Sequence, residues 1–182
     1  YWFGGTNSDI LEKLYKREIS PGEAEVEGEV KEALYRELME DTMEEVPGLK
    51  ALLEDLKRHN VPLAVATSAP GKNVDFVLER LQLRPYFSQV VDAEGIQNGK
   101  PDPEIYLKAA SSLGVNPEQC LVFEDALNGI RSAKKAGMQV IGLITTLRED
   151  ELTGTLFNIH DFTSLSAFHL IEIIQKEAPP LQ

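Results

Sequence analysis

The sequence is poor in cysteine, histidine, basic residues and long apolar runs, and each shortage excludes something. Cys120 is the single cysteine among 182 residues, so no intrachain disulfide can form. That composition suits a reducing compartment, and the cytoplasm is the expected location. No apolar stretch is long enough to span a bilayer. Lys and Arg number 18 against 30 Asp and Glu, a formal net charge of -12. This shortage of base argues against nucleic-acid binding, which rests on neutralising phosphates, and against adhesion to anionic membranes. A site for one small anion stays open, because it depends on local charge. His59, His160 and His169 have no metal-ligand spacing and read as surface or helix residues.

What is present is enough apolar residue for a core, arranged in two styles that change near Val46-Pro47-Gly48. Upstream, residues 8–17 and 23–44 read as amphipathic helices. Ile10, Leu11 and Leu14 form one apolar stripe; Val30, Ala33, Leu34, Leu38 and Met39 form another. Ser20-Pro21 supplies a cap and a first-turn proline between them. Downstream, helix and strand alternate. Strands are expected at 62–66, 89–91, 120–123, 139–144 and 157–159, and helices at 49–59, 73–83, 102–113, 126–136 and 165–176. Short apolar strands spaced by helices imply an α/β fold, a doubly wound parallel sheet buried on both faces.

In such sheets the ligand crevice lies beyond the carboxyl ends of the strands. Three strands or their following segments end in groups of complementary chemistry, namely Thr67-Ser68, Lys100, and Glu124-Asp125. Adjacent carboxylates repel unless a cation sits between them. Mg²⁺ takes hard oxygen ligands, commonly one or two carboxylates with waters and substrate phosphate. Lys balances the charge and holds a phosphate oxygen; a hydroxyl followed by backbone N–H groups cradles another. Taken singly, each signal has a plainer reading. Asp125 would cap a helix with Glu124 in solvent, Thr67-Ser68 would be a loop, and Lys100-Pro101-Asp102-Pro103 would enter a helix capped by Asp102.

Order and spacing together carry more. ATSAPGKN at 66–73, NGKPDPEIY at 98–106 and LVFEDALNGIRSAKKAGM at 121–138 resemble the haloacid dehalogenase superfamily. The likeness is greatest to the branch of β-phosphoglucomutase and related small-metabolite phosphatases. It implies a Rossmann-like core over 47–182 and a partial helical cap over 1–46. It implies Mg²⁺ as cofactor, held by Glu124 and Asp125, with Thr67 and Lys100 catalytic and Ser68 beside them as a phosphate contact. It implies a small phosphorylated metabolite, a sugar phosphate above all, as substrate, and a monomer. Gly4-Gly5-Thr6-Asn7-Ser8-Asp9 resembles the cap turn of the substrate pocket. Asn7 aligns where the mutases commonly carry Arg for a distal phosphate, which leans toward a phosphatase.

One departure matters. The family's first motif, a strand ending in Asp-x-Asp-Gly that carries the nucleophile, does not occur. The expectation is that the nucleophile lies outside this chain, that the chain alone is inactive, and that a central slot of the sheet is open. Two readings stand: an enzyme of phosphoryl transfer when full length, phosphatase or phosphohexomutase, and a non-catalytic phosphate- or metal-binding fragment.

Overall fold

A computed structural model describes residues 7–177. The first helices are α1 (Asn7–Tyr15) and α2 (Pro21–Met39), packed against each other. The Ser20 side chain accepts from the Glu23 N–H while the Glu23 carboxylate accepts from the Ser20 N–H, a capping box that starts α2. The cap-turn residues Gly4 to Thr6 and the tail 178–182 lie outside the described residues.

The rest alternates as the pattern predicts: α3 (Leu49–Arg58), β1 (Ala64–Ala66), α4 (Gly71–Arg80), β2 (Gln89–Val91), α5 (Glu104–Leu113), β3 (Leu121–Glu124), α6 (Leu127–Lys135), β4 (Gln139–Leu143), β5 (Asn158–Ile159) and α7 (Ala167–Glu177). All strand pairs are parallel. Successive strand residues face opposite sides, and both sides are covered. Val140 packs with Ile105, Ile130 and Ala133; its neighbour Ile141 packs with Leu52, Phe162 and Leu170. Helices α5 and α6 therefore cover one face and α3 and α7 the other. The chain enters α3 through Gly48 at φ +81, where a Cβ would come within 2.6 Å of the Thr163 backbone nitrogen. Only glycine accepts both the left-handed backbone and that approach.

The sheet is interrupted where an open central slot is expected. The strands form two ladders, β1–β2 and β3–β4–β5, and among the described residues none joins β1 to β3. β1, β2 and β3 are accordingly mostly half-buried. Ala66 and Val91 of the first ladder still pack in the same core cluster as Val122 and Val140 of the second. One expectation is corrected, the apolar stripe of α2. Val30, Leu34 and Leu38 are more than half exposed, whereas Gly28 and Glu32 are buried. Gly28 faces inward because the Asn7 side chain lies against it, leaving 2.9 Å from Asn7 Nδ2 to any added Cβ. That contact turns the small residue, and with it Glu32, toward the rest of the molecule.

Candidate active site

Asn7, Thr67, Ser68, Lys100, Glu124 and Asp125 all line one cavity of about 1340 Å³. Thr67 and Ser68 follow β1, and Thr67 Oγ1 accepts from the Ala69 N–H at 3.1 Å, shaping the turn that opens α4. Lys100 sits on the loop before α5. That loop is held at its base by Glu104, whose carboxylate accepts from the Gln97 and Asn98 N–H groups at 3.0 and 2.8 Å and from Lys108 at 2.7 Å. Asp102 Oδ1 accepts from the Glu104 N–H at 3.0 Å, but the helix begins at Glu104 and Pro103, not Asp102, occupies the cap position.

The adjacent carboxylates avoid each other by taking different surroundings. Glu124 is buried and ion-paired to the Lys100 ammonium; the two side chains are 9% and 8% exposed. Its Oε1 also accepts from the Tyr106 hydroxyl at 2.7 Å, and Oε2 accepts from the N–H groups of Asp125 and Ala126 at 3.0 and 3.1 Å. Asp125 is exposed, and its Oδ2 accepts from the Thr145 hydroxyl at 2.8 Å. The plainer reading, in which Asp125 caps α6 and Glu124 is solvated, is thus reversed. Gly129 makes this possible: a Cβ there would fall inside the Glu124 carboxylate.

Lys100 has all three ammonium hydrogens engaged, by Glu124, by Tyr106 Oη at 3.0 Å and by the Ala66 carbonyl at 3.3 Å. It thereby links β1 to β3 across the break between the ladders. The Tyr106 ring lies 4.8 Å from the same ammonium. Burial, then the Glu124 charge, pushes the Tyr106 phenol far above its ordinary range, so it stays a neutral donor.

Three cations, Lys31, Lys100 and Arg131, line the cavity against four carboxylates, Glu32, Glu124, Asp125 and Glu151. A dianionic phosphate entering such a space is repelled unless a further cation accompanies it. Among the described residues no group of three His, Cys, Asp or Glu is placed to hold a metal. Mg²⁺ does not require one, since it keeps waters and uses one or two carboxylates with phosphate oxygens. Asp125, exposed to the cavity with a hard oxygen donor, fits that role.

Residues 2–143 match the family described as Haloacid dehalogenase-like hydrolase. The chain belongs to this family. A phosphorylated carbohydrates phosphatase of Thermotoga maritima is 38% identical over 122 residues, 66% of this chain and 55% of that protein. A beta-phosphoglucomutase of Bacillus subtilis is 40% identical over 98 residues, 54% of this chain and 42% of that protein. The chain thus spans about half the length of these curated relatives. The crystal structure of a haloacid dehalogenase hydrolase, family IA, variant 3, from Entamoeba histolytica superposes with a TM-score of 0.87 at 35% identity, covering 95% of this chain and 80% of that one.

The sequence motifs meet at one cavity, but they do not account for the whole of it. Lys31, Glu32 and Tyr35 of α2, Asn73 of α4 and Arg131 of α6 also line it. The acids of α2 read as a solvated face by charge alone. The one signal for Glu32 is its place on the helix face of Gly28, a turn away.

Proposed function

We propose that the protein carrying this chain catalyses Mg²⁺-dependent phosphoryl transfer from a small phosphorylated metabolite, a sugar phosphate, to water or to a second sugar hydroxyl. The observation that carries this reading is the convergence of Thr67, Lys100 and Asp125 on one cavity, with Glu124 locking the lysine. The phosphatase and phosphoglucomutase names of the relatives support the substrate class.

In this reading α1 and α2 form the cap, over 1–46, above a core beginning at 47. Thr67 and Ser68 offer hydroxyls to the phosphoryl oxygens. Lys100 yields its weakest partner, the Ala66 carbonyl at 3.3 Å, and turns that hydrogen to the phosphate. Asp125 would hold the metal, while Glu124, with two donors on each oxygen, positions Lys100 and would share in holding a cation only by releasing one. Mg²⁺ would supply neutralisation of charge on the transferring group, the main demand of phosphoryl transfer. The aspartate nucleophile is carried on a strand outside this sequence, and the unjoined flanks of β1 and β3 support a place for it.

Two measurements test the reading. The chain itself should bind inorganic phosphate, more tightly with Mg²⁺, and Asp125→Asn should remove the Mg²⁺-dependent gain. A protein carrying the chain together with an Asp-x-Asp-Gly strand should hydrolyse or isomerise sugar phosphates only with Mg²⁺. Phosphate binding by the chain without turnover in the longer protein would favour the binding-module reading.

A further inference from the structure

One wall of the cavity comes from the first helix pair, and its chemistry is unusual. Glu32 is only 7% exposed although α2 has solvent along its other side. The helix leaves Val26, Val30, Leu34 and Leu38 in water and turns a carboxylate inward. Burying a carboxylate costs free energy unless it is paired and hydrogen-bonded. Glu32 Oε1 accepts from Lys31 Nζ at 2.5 Å, and Oε2 from Asn73 Nδ2 at 2.5 Å. Arg36 donates to Asn73 Oδ1 at 2.5 Å, which fixes the amide with its NH₂ toward Glu32. The carboxylate is therefore held rigid by residues of both α2 and α4. Two of its roughly four acceptor positions remain for a ligand.

Its partners have a second consequence. Lys31 is the one cation that the described residues of α1 and α2 contribute to the cavity, and it is paired with Glu32. A second phosphate at this wall would meet a fixed carboxylate and a lysine already engaged. A hydroxyl there would instead find a charged acceptor, a strong hydrogen bond. We infer that Glu32 is a specificity-determining residue: it accepts from hydroxyls at the unphosphorylated end of a sugar or polyol monophosphate and excludes bisphosphates. This rests on the phosphoryl-transfer reading above.

The test is calorimetric titration of the chain, with Mg²⁺, by inorganic phosphate, glucose 6-phosphate and glucose 1,6-bisphosphate. The wild type should bind the monophosphate more tightly than the bisphosphate. Glu32→Gln should shift that ratio toward the bisphosphate by about tenfold, since one like charge is removed. Lys31→Ala leaves the Glu32–Asn73 bond in place and should shift the ratio the other way; it carries the test alone if the first variant does not fold. A ratio unmoved in the folded variants, with only a lower melting temperature, would make Glu32 a mere latch between α2 and α4 and overturn the inference. Failure of the wild type to bind even inorganic phosphate would overturn the phosphate-site reading, and this inference with it.

Discussion

The Tyr106 hydroxyl stands 2.7 Å from Glu124 Oε1, beneath the ammonium of Lys100 that binds the same oxygen. Each of the three groups thus has its position set by the other two. Tyr106→Phe keeps the ring beside the ammonium and removes one hydrogen bond to a charged group. It should cost about 2 kcal/mol in chemical denaturation, and phosphate affinity should fall several-fold as Lys100 loses its fixed setting. An unchanged affinity would show that the pair orients itself without the phenol.

Lys100→Ala should be far more damaging, because it strands a buried carboxylate. The expected loss is about 3–5 kcal/mol together with phosphate binding. Pairing Lys100→Met with Glu124→Gln should recover most of the stability and none of the binding. That separation, read by denaturation and titration, distinguishes a structural ion pair from a ligand-binding one.

Gly129→Ala tests the packing beneath the site. The new methyl group displaces the Glu124 carboxylate, so the Lys100 pair should break without either partner being altered. Stability and phosphate affinity should drop together, whereas alanine at the exposed and open Gly95 should affect neither.

Acid should loosen the loop that carries Lys100. The Lys108 ammonium, with the Gln97 and Asn98 N–H groups, holds the Glu104 carboxyl down at about 2. A carboxylate depressed in the folded state stabilises fully above its unfolded value of about 4.3 and loses that contribution as pH falls toward 2. Amide resonances of Gln97 and Asn98 should therefore titrate near pH 2 and not near 4. Glu104→Gln should abolish the transition.

Most of the architecture was legible because it is written in local terms. The alternation of apolar triplets with 3.6-period helices over 47–177 places every strand and α-helix to within a few residues, though not the short 3-10 turns at 84–86, 93–95 and 117–119. The convergence of Thr67, Lys100, Glu124 and Asp125 was legible too, because a parallel sheet carries its strand ends to one rim. What was not legible depended on partners distant in sequence. The stripe Val30, Leu34, Leu38 has the right period for burial, yet Asn7 against Gly28 decides which face turns inward. The division of labour between Glu124 and Asp125 depends on Tyr106 and Gly129, which no pattern within the acid pair announces. Asn73, read only as the start of a helix, meets Glu32 across 41 residues of chain.

The break between the β1–β2 and β3–β4–β5 ladders also bears on how the molecule behaves in a tube. Strand flanks that none of the described residues pairs are templates for foreign backbone. Solutions of this chain should grow turbid with concentration sooner than its strongly acidic composition suggests. A short, continuously apolar peptide, added in excess, should keep them clear by occupying the seam.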